Sequence, residues 1–238
     1  MNNPDFPFTF KNIEKQYIKA IEKGYKFITC EDYFKNKDNL TDLTVVNRID
    51  IDLSVKKTEI LRNIYKKLNI KGTFFIRLHA KEYNPFSFEN FRIINLLKED
   101  GHELGYHSEI IDQSSIWNID PEVCLRKDIE VFNRMFDVNI KGIASHNGST
   151  ILNNLDFWVK NRPSKYGILY EAYDEDTFNL FNNSFYISDS EWTRWKAYKN
   201  GKLLINDRRS FGEHLEDLHK LIYLLIHPDT YYENHIYE

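Results

Sequence analysis

Short apolar runs with strand character alternate with longer amphipathic runs, and this constrains the chain more than any other feature. T44-V-V-N-R-I-D-I-D-L53 is expected as a strand. V55–I70 follows as a helix with Ile60, Ile64 and Leu68 along one face. G72-T-F-F-I-R-L78 is the next strand, and F88–G101 a helix stopped by glycine. H102-E-L-G-Y-H107 is again a strand, P121–F136 a helix with proline in its first turn, and K141-G-I-A-S-H146 a strand. Two further strands are expected in G167–Y173 and F185–D189, and a helix over E213–I222 that runs into the strand Y223-L-L-I226, ending at His227. Upstream, K11–G24 has helical spacing of Ile13, Tyr17, Ile18 and Ile21, Y25–C30 reads as a short strand, and E31-D-Y-F34 begins a helical turn. This alternation implies an α/β protein with a mostly parallel sheet, open or closed into a barrel.

No repeat, linker or low-complexity tract divides the 238 residues, so they are expected to form one domain. The 42% of hydrophobic residues suffices for a substantial core. Tyr and Phe number 15 and 17; such rings can line sugar sites, but core and surface filling accounts for them more simply. A net charge of -4 gives no support for a nucleic-acid partner. No window approaches a membrane-spanning length, and M1-N-N-P-D-F-P-F-T-F10 has no basic segment followed by an apolar one. Cys30 and Cys124 are too few for a disulfide framework and read as free thiols, which points to the cytoplasm. Nothing in the sequence specifies an oligomeric state.

In a parallel sheet, polar residues at the strand C-termini share one rim. Here Asp50 and Asp52 close the first such strand, His107 the third, His146 the fourth, Asp189 a later one and His227 the last. Alternation puts Arg48, Asp50 and Asp52 on one strand face. A strand-end aspartate usually caps the following helix, but Ser54 is placed to do that. Two carboxylates on one face repel, so a cation is expected between them or one is protonated. His102 is expected to face away from this rim, and His79, His214, His219 and His235 to be solvated. One carboxylate with two imidazoles suits zinc or a similar divalent ion, a second carboxylate can take a proton from water, and a further histidine can protonate a leaving group. Those parts describe metal-assisted hydrolysis of an amide or ester.

R48-I-D-I-D52, G72-T-F-F-I76, G101-H-E-L-G-Y-H107 and L225-I-H227 together resemble the motifs of the polysaccharide deacetylase superfamily, the NodB-homology or carbohydrate esterase 4 group, over about Thr44 to Tyr232. The spaced aspartates, S145-H-N-G148 and H227-P-D-T-Y-Y232 are closest to a divergent subgroup often linked to bacterial surface-polysaccharide synthesis. The resemblance implies a distorted (β/α) barrel of seven mostly parallel strands over a single 1–238 domain, with residues 1–43 packed on the barrel as a helical and strand extension. It implies Asp50 as base, His227 as acid, and Asp52 and His107 as ligands of a divalent metal, Zn2+ first. The family's second motif carries a further histidine four residues after the first, and here that place is Ile111, which cannot bind metal. His146 is expected to take that place. Around the rim, Arg48 is expected to orient Asp50, Asp189 to orient a catalytic histidine, and Arg77, Glu109 and Asn147 to touch substrate.

The implied activity is removal of an acetyl group from an N- or O-acetylated sugar or glycan precursor. The alternatives are hydrolysis of another C–N amide bond on the same scaffold, or a degenerate relative that only binds carbohydrate.

Overall fold

The computed structural model describes residues 8–148 and 150–234. Most of M1–F10 and His235 therefore lie outside the described residues. Ten strands form one sheet: β1 (Lys26–Ile28), β2 (Thr44–Ile51), β3 (Thr73–Ile76), β4 (Glu103–Ser108), β5 (Gly142–Ser145), β6 (Tyr170–Glu171), β7 (Phe185–Ser188), β8 (Lys196–Lys199), β9 (Lys202–Leu203) and β10 (Leu221–Ile226). The main helices are α1 (Phe10–Glu22), α2 (Cys30–Asn36), α3 (Val55–Leu68), α4 (Phe88–Glu99), α5 (Ile110–Trp117) and α6 (Pro121–Phe136), with shorter α7 (Asp156–Lys160), α8 (Leu180–Asn183) and α9 (Phe211–His214).

The strand order is β6-β5-β4-β3-β2-β10-β7-β8-β9. Every pairing from β6 to β7 is parallel, and β8 and β9 add antiparallel strands at one side. The expected seven-stranded closed barrel is not what forms. The sheet has ten strands and stays open among the described residues. The physical reason is at its ends: β8 occupies the outer edge of β7, and β6, on the far side, is only two residues long. β1 is also part of the sheet, pairing with Thr44–Val46 of β2 just below the stretch where β3 pairs with Arg48–Ile51. Residues 26–28 thus form the short strand expected within Y25–C30, and it joins the sheet.

Local chemistry explains the boundaries. Ser54 caps α3, whose Asn69 ends it in the left-handed region, and Asp120 caps α6 ahead of Pro121. α1 buries Phe10, Ile13, Tyr17 and Ala20, while Ile21 turns outward. The helix expected over 213–222 is cut to α9 and a 3-10 turn, because Leu218 adopts a positive φ and β10 starts at Leu221. The strand expected over 167–173 shrinks to β6 because Gly167 ends a 3-10 turn in the left-handed region. Every residue of β2 is buried, so this strand runs through the centre of the molecule. Both cysteines are free and buried. No described helix is long and apolar enough to cross a membrane.

Candidate metal centre and catalytic cavity

Because β2, β4, β5, β7 and β10 run parallel, their C-termini open on one rim. A cavity of about 230 Å³ lies there, lined by Arg48, Asp50, Asp52, His107, His146 and His227 among others. A ligand atom from each of Asp52, His107 and His146 lies within 4.8 Å of the others.

β2 delivers the two aspartates, and the strand pleat aims Asp50 the same way as Arg48. Arg48 is buried and grips Asp50 bidentately, with Nε donating to Oδ1 at 2.8 Å and Nη2 to Oδ2 at 2.7 Å. Burial alone would raise the Asp50 carboxyl, but Arg48, with His107, holds it below its usual value. Part of the cation expected for two facing carboxylates is therefore a guanidinium. That guanidinium rests on the rings of Phe75, Tyr173 and Tyr223, at 5.4, 4.6 and 6.0 Å from their centroids.

β4 delivers His107. Two residues earlier, on the same face, Gly105 pairs with Phe75 across the sheet, and a Cβ there would sit 2.4 Å from the Phe75 ring. Glycine is what lets β4 lie flat on that ring beneath the histidine. His107 Nδ1 is 2.8 Å from the Ala144 carbonyl, which as acceptor fixes the proton on Nδ1 and leaves Nε2 as the lone-pair atom. Nε2 lies 3.4 Å from Asp50 Oδ2 and 3.3 Å from Asp52 Oδ1. Burial opposes charge on this ring, yet the two carboxylates draw its pKa upward. The pocket attracts positive charge.

β5 hands over to a loop that carries His146. The His146 backbone N–H donates to Ser108 O at 2.9 Å, extending the β4–β5 ladder by one step, and the His107 and His146 rings meet edge to face at 5.0 Å. His146 Nε2 is 3.8 Å from Asp52 Oδ1, and its Nδ1 is 3.4 Å from Glu109 Oε1. Glu109 is held in turn by Arg77, through Nε at 3.2 Å and Nη2 at 2.8 Å, and Arg77 Nη1 donates to the Asp52 carbonyl at 2.8 Å. Arg77 and Glu109 thus sit buried beneath the ligand trio, while Asn147 lines the cavity.

β10 is followed directly by His227, opposite the trio. Its Nδ1 is 2.6 Å from Asp189 Oδ1, and its Nε2 is 3.8 Å from Asp52 Oδ2. Burial disfavours the imidazolium, but Asp189, aided by Asp52 and Asp50, raises the ring to about 9. Asp189, at the end of β7, also accepts from the His227 backbone N–H.

The donor set fits a divalent transition ion. Asp52 Oδ1 is buried with no hydrogen-bond partner among the described residues, and two imidazole Nε2 atoms face it. Those separations are close to the edge of about 3.4 Å expected for a tetrahedron with metal–ligand bonds of about 2.1 Å.

Sequence reasoning missed the groups that hold the His146 loop. Asp112 is buried in α5 and accepts from Thr150 N at 2.9 Å, Thr150 Oγ1 at 2.6 Å and Asn154 Nδ2 at 2.9 Å. Asn154 Oδ1 caps Ile111 N and Asp112 N, and its Nδ2 donates to the His146 carbonyl at 3.1 Å. The segment around Ile111 therefore anchors the loop that carries His146. No spacing rule signals a pairing 42 residues apart. Cavity-lining rings were likewise unassigned: Tyr173, Phe181, Tyr186 and Tyr198 all line it. His102 lies buried against Tyr65 and Phe74 at the other end of β4, away from the rim. Of the histidines expected in solvent, His79 is bonded to Asp128, and His214 is fully buried beside the partly buried His219.

No protein-family model matches the chain, and no curated protein matches it. Among solved structures it is similar to a Streptococcus pyogenes deacetylase, PplD, in complex with acetate. Sequence identity is 17% and the TM-score 0.48, over 62% of this chain and 66% of that one, which is just under two thirds of the neighbour's length.

Proposed function

We propose that the protein is a metal-dependent hydrolase that removes an acetyl group from an N- or O-acetylated sugar. The observation that carries this reading is the arrangement around Asp52. A three-residue ligand set is flanked on one side by an ionised carboxylate, Asp50, and on the other by an imidazole–carboxylate pair, His227–Asp189. Asp52, His107 and His146 would hold the ion. When bound, a divalent cation supplies Lewis acidity, acidifying water toward neutral pH and polarising an acyl oxygen.

The chain's own residues complete the chemistry. Asp50, kept ionised by Arg48, accepts the proton of the attacking water. His227, kept protonated by Asp189, donates to the departing sugar nitrogen or oxygen, so the amine or alcohol leaves neutral and acetate is the second product. Glu109, locked by Arg77, turns the His146 ring so that Nε2 faces Asp52. The aromatic lining offers apolar faces to a sugar ring. A larger cavity of about 540 Å³ begins across Leu155, Tyr173 and Phe181, giving a glycan room to continue. The motif resemblance of R48-I-D-I-D52 and G101–H107 supports an acetylated sugar over other amides.

The test is acetate release from N-acetylglucosamine oligomers and from a generic acetyl ester, by protein stripped with chelator and then given Zn2+, Co2+ or Mg2+. Activity that returns with zinc or cobalt and is lost in Asp50→Asn supports the reading. Metal-independent release, or none from any acetylated substrate with metal bound, overturns it.

A further inference from the structure

A second group of metal-ligating side chains lies at the opposite end of the sheet. His219 lies two residues before β10, whereas His227 follows it directly, so the length of that strand separates the two regions. His214, Asp217 and His219 bring one ligand atom each within 4.8 Å of one another. His219 Nε2 is 3.5 Å from Asp217 Oδ2, and His214 Nδ1 is 3.9 Å from the same oxygen. These spacings are much like those of the Asp52 trio.

An independent observation concerns hydrogen bonding. His214 is fully buried, and neither of its ring nitrogens makes a hydrogen bond among the described residues; the buried Nε2 of His219 makes none either. A buried imidazole normally finds partners for both nitrogens. Here the near groups are Asp207 Oδ1, 3.4 Å from His214 Nε2, and Asp217 on the other side. The ring is kept in place by packing, edge-tilted on Phe185 at 4.8 Å, while His219 stacks on the same ring at 3.8 Å. One phenylalanine therefore holds both imidazoles around the exposed carboxylate of Asp217.

Charge is compatible with a cation. Arg209 binds Asp207 through Nε and Nη2, and Asp217 through Nη1 at 2.9 Å. Two carboxylates stand against this guanidinium, which meets the same Asp217 Oδ2 that the imidazoles face, and Lys199 also acts on His219, so the cluster carries no net positive charge against an incoming ion. Two imidazole nitrogens and one carboxylate oxygen select a borderline transition ion over magnesium or calcium, which prefer all-oxygen sites.

We propose that His214, Asp217 and His219 form a second, structural site for a zinc-class divalent ion. The ion would pin the segment between β9 and β10 to the N-terminal rim of the sheet. The site stands independently of the catalytic reading.

The experiment uses the full chain carrying Asp52→Ala and His107→Ala, stripped with chelator and titrated with Zn2+ by calorimetry, with thermal unfolding read alongside. One equivalent of zinc should bind and raise the melting temperature, and adding His219→Gln should abolish both. Asp217→Asn, at an exposed position, is a second probe that should weaken binding at least tenfold. Circular dichroism at each step verifies folding. If the Asp52/His107 variant binds no zinc, or binds it equally well with His219→Gln and with Asp217→Asn, the proposal fails.

Discussion

His227 Nδ1 lies 2.6 Å from Asp189 Oδ1, and the same carboxylate accepts from the His227 backbone N–H. Two strand ends, β7 and β10, are thereby joined through one carboxylate. Asp189→Asn keeps the shape but removes the charge that holds the imidazolium. It should lower kcat for acetate release by about a hundredfold or more, in the range general-acid catalysis contributes. Zinc content should be unchanged, because Asp189 is not among the ligands. Steady-state kinetics with metal analysis checks both.

The proposed metal trio depends on a loop, which carries His146. His146→Ala should remove one of three ligands and strip zinc from the purified protein. Asp112→Asn touches no ligand, yet it disturbs an acceptor of three hydrogen bonds from Thr150 and Asn154. It should weaken zinc binding by about 10–100-fold, the usual scale for residues that orient ligands. Zinc competition against a chromophoric chelator measures it; equal affinity in wild type and Asp112→Asn would contradict the loop's role.

Gly105 faces the Phe75 ring so closely that a methyl group would lie 2.4–2.5 Å from two ring carbons. Gly105→Ala should therefore destabilise the fold by about 1–3 kcal/mol through overpacking. Because β4 carries His107, zinc affinity should fall with it. Denaturant titration gives the first quantity and calorimetry the second.

Glu103, partly buried beside β3, accepts from Thr73 Oγ1 and Tyr170 OH, each at 2.6 Å. Burial raises its carboxyl from 4.5 to about 7, against the opposing effect of those hydrogen bonds. Between these values the folded chain keeps a proton that the unfolded chain releases. The group's contribution is complete below 4.5 and declines as pH rises to 7. His102 acts in the other direction: burial lowers it from 6.5 to about 4, and its contribution is lost as pH falls through that window. Glu103→Gln removes only the first effect. Whatever its absolute stability, the variant should gain on the wild type as pH is raised from 4.5 to 7, read from denaturant midpoints at fixed salt.

Much of the site was legible because the chemistry-bearing residues stand at strand ends. Asp50, Asp52, His107, His146 and His227 each close an apolar run in the sequence, and a parallel sheet turns that pattern into one rim. The helices α1, α3, α4 and α6 were likewise visible from their spacing and their caps. What failed was reading that extended too far along the chain. The helix expected over 213–222 was broken by a left-handed Leu218, a residue with no intrinsic preference for that conformation. His214 looked like a surface residue, but packing on Phe185 buried it completely.

The sequence by itself determined the parallel α/β architecture and the strand-end positions of the acidic and imidazole groups, since hydrophobic periodicity and local capping are encoded within a few residues. The tertiary structure alone decided that the sheet stays open, that Arg77 and Glu109 lie beneath His146, and that Asp112 and Asn154 hold its loop. Each of those is a contact between residues on different elements or a matter of which strand edge is occupied. Such contacts depend on burial and on close approach in space, and neither leaves a periodic trace along the chain.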